Sequence, residues 1–255
     1  LMLDIISAIY IMVFIIIGSL YIGYSINKNT PVGPMIFRIA ILKLITIIGL
    51  IAYSHFALGV NFLDEVRGAF LDNLDMVTTE MSKNIEITSS QIEAYRSTFR
   101  MAVEGSIEVM PALLFIASFT VVFVNVIIAL KVLKRTRTDI KYVTKLNLYG
   151  IGPEIRYAAL VMIIGVTVMY LFNLPNVKVA YTNVAVILGY FFFFNGLFLG
   201  DFIYFRRGNG LMRVVIPFLM LVVFQAYFAY VVLGAIDMFA NFRRRILINE
   251  FKIRK

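Results

Sequence analysis

Five side chains interrupt otherwise apolar runs, and chemistry is first to be sought there: the amides Asn125, Asn195 and Gln225 and the acids Asp201 and Asp237. An amide in such a run must find a hydrogen-bond partner, on a neighbouring helix or on a bound molecule. A carboxylate there can pair with a cation or carry a proton. We expect the three amides to point into a helix bundle and the two acids to hold nearby cations. Asp201 lies five residues before Arg206 and Asp237 six before Arg243.

Other chemistries lack their residues. The chain has no cysteine, and its one histidine, His55, cannot build a histidine metal site or a Ser/His/Asp triad. No HExxH, GxSxG, Walker loop or paired-cysteine pattern occurs. Gly189, Gly196 and Gly200 fall in a hydrophobic run with no preceding strand, so they suggest helix packing and not a nucleotide fingerprint. The residues therefore call for neither a metal nor a cofactor, and we expect no enzyme. An intramembrane enzyme needs a nucleophile or paired acids, and Asp201 and Asp237 alone could serve.

The runs that carry these residues define the class. The chain is 61% hydrophobic with mean hydropathy +0.88, well above the roughly 45–50% apolar usage of soluble domains. Runs of roughly 20 apolar residues cross a hydrocarbon core about 30 Å thick, and in lipid they must be helical. Such runs lie near 5–26, 35–58, 109–130, 156–172, 185–205 and 214–239. The fold class expected is all-α: a polytopic membrane helix bundle of about six transmembrane helices with an amphipathic helical insertion. Its parts are two spans over 1–59, the insertion over 60–108, and four further membrane helices over 109–255. Apolar sequence starts at Leu1 without a basic leader, so we expect the natural N-terminus, and possible earlier helices, upstream.

The insertion differs in charge. Residues 60–108 hold nine acidic and four basic side chains, against one acid in the 59 positions before them. Phe62, Val66, Phe70, Leu74, Val77 and Met81 recur at helical spacing, as do Ile92, Tyr95, Phe99, Val103 and Ile107. Between the two stripes, Ser90 with Glu93 predicts a capping box. We expect two interfacial helices that cover the membrane domain and could serve as a lid or docking platform. In the second span, Arg38 and Lys43 are expected in the first turns, snorkelling to the headgroups.

Cations set the topology. Residues 131–156 carry seven basic against two acidic side chains, and basic residues of short loops stay cytoplasmic. Lys131, Lys134, Arg135, Arg137, Arg206, Arg207, Arg243, Arg244 and Arg245 are thus expected at the membrane surface, and 60–108 on the opposite side. The net charge of +9 fits anionic lipid, with no nucleic-acid partner. The tail conflicts with strict alternation. The 26-residue run from Val214 to Phe239 is too short for two spans, so either the tail breaks the rule or Pro217 helps make that run re-entrant.

Asn195-Gly196-Leu197, then Asp201 and the basic link at Arg206-Arg207, resemble the YybS-like family of uncharacterised bacterial membrane proteins. The close Leu233-Gly234 … Asp237 … Phe242-Arg243 resembles that family's ending. The segment leading to Pro111, Asn125 and the basic exit at Lys131–Arg135 also fits. The likeness covers about residues 60–245 well and the first two spans loosely. It implies a multi-pass protein of the bacterial plasma membrane, and the first part of such proteins is similar to the S subunits of energy-coupling-factor transporters. The expected function is a non-catalytic, transporter-like subunit that binds a small molecule; a scaffold or regulatory partner of another membrane protein is the alternative. Its partners would be the lipid bilayer and either a small-molecule substrate or another membrane subunit.

Overall fold

The computed structural model describes residues 15, 16, 18–28, 30, 32–83, 87–136, 153–206, 215, 219–223, 225–243, 245 and 246. Among them every regular element is helical. Helix α1 covers 18–27, followed by α2 (Val32–Leu58), α3 (Phe62–Ser82), α4 (Ser89–Glu108), α5 (Met110–Thr136), α6 (Pro153–Leu171) and α7 (Val177–Arg206). A five-residue π-helical turn at Leu219–Val223 precedes α8 (Tyr227–Ala240).

Within the described residues α2, α5 and α7 are long and apolar enough to cross a bilayer, and α6 and α8 are shorter apolar helices. Large side chains point outward all along them: Ile45, Ile128, Val161 and Phe228 are each more than half exposed. A soluble surface rarely tolerates so much apolar area, whereas hydrocarbon solvates it.

Three contacts tie the bundle together. Met35, Ile36, Ile39 and Ala40 of α2 pack on Val122, Val126 and Leu130 of α5, with Tyr21, Ile22 and Ile26 of α1 against them. An aromatic seam joins α5 to α7, where Phe119 meets Phe191 edge-on at 4.9 Å and Phe123 stacks near Phe198. Thr120 and Tyr190 share a hydroxyl hydrogen bond of 2.8 Å across the same seam. Finally, Met238 of α8 sits on Ala159 of α6 and Leu188 of α7.

The insertion forms a helical hairpin, α3 against α4. Asn61 caps α3 by accepting from the Leu63 N–H. The capping box of α4 is Thr88 with Gln91, two residues before the expected Ser90–Glu93 pair, because the helix starts that much earlier. Arg67 donates two hydrogen bonds to the Glu104 carboxylate, at 3.0 and 3.1 Å. Those bonds and the charge of Glu104 hold the Arg67 guanidinium above its ordinary value. Arg96 reaches Thr78 at 2.9 Å. Among the described residues of this hairpin only Leu74, Thr78 and Val103 are buried; Phe70, Val77 and Tyr95 of the two stripes stay exposed.

The last apolar run is not one helix. Gln225 adopts φ 47° between the π-turn and α8, a left-handed conformation that ends helical propagation. The break thus falls at Gln225, while Pro217 lies outside the described residues. With 14 residues, α8 is about 21 Å long, less than the bilayer's hydrocarbon thickness.

One junction depends on a single side chain. Pro111 removes an N–H where α4 runs into α5. Beside it, the Ala112 N–H donates to Asn183 Oδ1 at 2.8 Å, and Asn183 Nδ2 donates to the Glu108 carbonyl at 2.7 Å. The amide of α7 is thus inserted between a donor and an acceptor four residues apart, which an unbroken helix would pair directly. Asn183→Leu leaves both backbone groups unpaired, at about 1–3 kcal/mol each. The expected result is a clear drop in thermal unfolding temperature in detergent, with faster amide exchange at Ala112. An unchanged melting temperature would remove this role.

Candidate functional site

Polar groups gather in two places, one closed and one open. The closed one lies where α7 crosses α8, the most extensive helix contact of the bundle. Two glycines permit the crossing. A Cβ on Gly234 would overlap the Phe192 carbonyl oxygen and lie 2.7 Å from Gly196 N; a Cβ on Gly196 would overlap the Tyr230 carbonyl. At this separation the Asn195 amide reaches across, donating to the Gly234 carbonyl at 2.8 Å and to Asp237 Oδ2 at 3.3 Å.

Arg243 completes the cluster. Asn241 caps α8 in the left-handed conformation at φ 51°, and its N–H donates to the Asp237 carbonyl. The chain turns back there and carries Arg243 onto the helix it has just left. Its guanidinium donates through Nε and Nη2 to Asp237 Oδ2, at 3.0 and 2.7 Å. Nη2 also donates to the Asn195 backbone carbonyl, at 3.1 Å, and to the Asn195 side-chain oxygen. Asn195 is 0% exposed, and Asp237 and Arg243 are 4% exposed. All three bonds to the carboxylate use Oδ2, so among the described residues Asp237 Oδ1 is buried without a hydrogen-bond partner. Arg156 of α6 donates to the Asn241 side chain at 2.6 Å, fixing the turn from outside.

This arrangement corrects one expectation. Arg243 is not a surface cation: the left-handed turn at Asn241 folds it inward, onto Asp237. Lys131, Lys134, Arg135 and Arg245 are exposed. Arg137, Arg207 and Arg244 lie outside the described residues, as does the side chain of Arg206. Asp201 is half-buried six residues beyond Asn195 on α7. Of the three amides only Asn195 is interior; Asn125 and Gln225 are exposed. Gln225 occupies the backbone break before α8, and Asn125 faces a cleft.

That cleft is the open polar place. It has a volume of about 720 Å³ and lies between α1, α2 and α5, lined by residues that include Gly18, Ser19, Lys43 and Asn125. Of the residues lining the cleft, Lys43 departs from its expected place in the first turns of the second span. It stands twelfth in the 27 residues of α2, about 16 Å along the axis from the helix start. It is 6% exposed, and its Cε would meet a Cβ on Gly18 at 3.4 Å. The glycine of α1 therefore makes room for the lysyl stem, and the side chain does not snorkel from a first turn. The signal was present in the apolar residues Val32 to Ile36, which lengthen the helix before Lys43.

The closed cluster is sealed from solvent, with Asn195, Asp237 and Arg243 each buried, and its hydrogen bonds tie α8 to α7. The cleft has space and, among the described residues, one cation and an amide. Among the described residues no three His, Cys, Asp or Glu side chains converge as metal ligands. Apolar outward faces, long helices and a polar lock at a glycine crossing together define a multi-pass helical membrane protein. The chain belongs to the family described as "Predicted membrane protein (DUF2232)", whose model matches residues 1–238. No curated protein and no solved structure matches the chain.

Proposed function

We propose that this chain is a non-catalytic, transporter-like membrane subunit that binds a small molecule in the cleft between α1, α2 and α5. The cleft carries this reading. Its volume of about 720 Å³ lies within the roughly 300–1,000 Å³ of small-molecule sites, which are mostly apolar with few polar groups. A buried lysine in mid-span is costly and marks a functional position more often than an anchor. The YybS-like resemblance, with its similarity to transporter S subunits, favours the same class. Ala129→Phe would fill the cleft from α5, where Ala129 lines it. Native mass spectrometry from mild detergent should show a small-molecule adduct on the wild type that this variant loses while keeping its melting temperature. A wild type free of adducts, with another membrane protein co-purifying, would overturn the reading.

That last outcome would favour the scaffold role. Its support is the α3–α4 hairpin, with its acidic surface and the exposed Phe70, Val77 and Tyr95. We place the protein in the bacterial plasma membrane, with 131–156 cytoplasmic and the hairpin outside, on the charge asymmetry of the two segments. The chain lacks cysteine, so single cysteines report cleanly. A cysteine at Ser90 should react with an impermeant maleimide from outside intact cells and one at Thr138 should not. The reverse pattern would invert the topology.

A further inference from the structure

We infer that the α3–α4 hairpin is an interface between two copies of this chain, which pair through its uncharged flank. The inference is independent of the cleft and holds whatever the cleft binds.

The hairpin keeps its charges to one side. Arg67 pairs with Asp64 and Glu104, and Arg96 meets Asp75 at 3.4 Å, so these side chains share a flank. Leu74 is buried between the helices. Phe70 and Val77 stand four before and three after it, which puts them on the opposite flank of α3. On α4, Tyr95 and Ala102 each come one residue before a side chain turned to α3, Arg96 or the buried Val103. The helices run antiparallel, with Arg96 at Thr78 and Arg67 at Glu104. Val77 therefore lies level with Tyr95, and Phe70 with Ala102, on one face of the hairpin. By helical periodicity no charged residue of 63–77 or 95–106 falls on that face. Leu63, Phe70 and Val77 are seven residues apart, as are Tyr95 and Ala102, the repeat with which helices pack side by side. Phe70, Val77 and Tyr95 remain exposed, so this second seam lies ready for further helices.

Charge selects the occupant. Residues 60–108 carry nine acids against four cations, so two hairpins repel wherever their acids meet, and this face brings none together. A basic partner would seek the acids, which lie on the other flank. Helices that rest on lipid back their apolar face with lysine and arginine, whereas this backing is acidic overall. Helical bonds flank the α4–α5 joint, from the Val109 N–H to the Gly105 carbonyl and from the Leu113 N–H to the Val109 carbonyl. The hairpin thus leaves the membrane as a kinked continuation of α5. Copies inserted the same way round are related by a two-fold axis along the bilayer normal. That axis sets α3 of one copy against α4 of the other, with Phe70 facing Ala102 and Val77 facing Tyr95. A large side chain meets a small one, and the product is an antiparallel four-helix bundle.

The test uses the full chain in mild detergent. Native mass spectrometry should give twice the 29.0 kDa chain mass. Phe70→Glu should weaken pairing at least about thirtyfold, the loss expected of a central aromatic anchor, with helical content unchanged because the position is exposed. Glu93→Lys, on the charged flank, should leave the dimer intact. Two differently tagged copies, one carrying Asn73→Cys and the other Thr98→Cys, should join by a disulfide under mild oxidation. Asp75→Cys with Arg100→Cys, on the charged flank, should not. A monomeric wild type would overturn the inference, as would a dimer that survives Phe70→Glu and forms no disulfide between positions 73 and 98. A different protein held by the hairpin and released by Phe70→Glu would also overturn it, by naming another occupant. So would a monomer in phosphatidylcholine nanodiscs whose spin label at Thr98→Cys is reached by lipid-soluble oxygen in preference to an aqueous nickel chelate, since lipid would then cover the face.

Discussion

Gly234→Ala is expected to abolish the folded α7–α8 pair. The added methyl would overlap the Phe192 carbonyl oxygen and lie 2.7 Å from Gly196 N, and both are helix backbone that cannot turn aside. The helices must then separate. Separation breaks the Asn195 bond to the Gly234 carbonyl and strands Arg243 from its acceptors on α7. Overpacking alone costs about 1–3 kcal/mol, and each buried polar group left without a partner adds about 1–3 kcal/mol. Gly189→Ala on the same α7 is the control, since a Cβ there meets nothing within 4 Å. That change should be neutral or stabilising by up to about 1 kcal/mol, because alanine is the better helix former. Thermal unfolding and size-exclusion profiles in detergent should separate the two. A well-folded, monodisperse Gly234→Ala protein would show that the crossing is looser than described.

Breaking the buried ion pair should have the second large effect. Removing one partner of such a pair typically costs about 3–5 kcal/mol, because the other charge stays buried without compensation. We therefore expect Asp237→Asn and Arg243→Met each to lower the melting temperature strongly. The double variant should be less damaged than the sum of the two, since it leaves neither charge behind. Arg245→Met, at an exposed cation two residues on, should change little. Additive losses in the double variant would show that the two residues act independently. Arg243→Met with wild-type stability would show that the tail does not lock α8 to α7.

The sequence carried the class of this protein and much of its punctuation. Helical spans follow from apolar length alone, since lipid leaves a backbone no other partner than itself. Asparagine and proline at 173–176 suit the turn found there, and Asn173 and Asn176 both adopt positive φ. The hairpin was legible from two stripes of apolar residues separated by polar ones. Its capping box shifted by two residues because Thr88 and Ser90 offer similar hydroxyls, and helix start alone selects between them.

The candidate sites were legible only in part. Asn195, Asp237 and Arg243 could each be picked out as polar or charged, and the Asn-Gly and Leu-Gly steps could be noted beside them. Their assembly could not be read, because it depends on a glycine crossing and a left-handed turn at Asn241 that reverses the chain. Arg243 looked like one cation in a basic tail, and a turn of one residue made it a core group. Asn183 was overlooked because its partners, the Ala112 N–H and the Glu108 carbonyl, are backbone groups more than 70 residues away. Composition and hydropathy periodicity by themselves determined a helical membrane protein without cysteine chemistry, because burial in lipid is a property of residue type and length. Tertiary structure alone decided which polar side chains are sealed and which face a cleft, because that depends on which helix backbones approach closely enough to satisfy them.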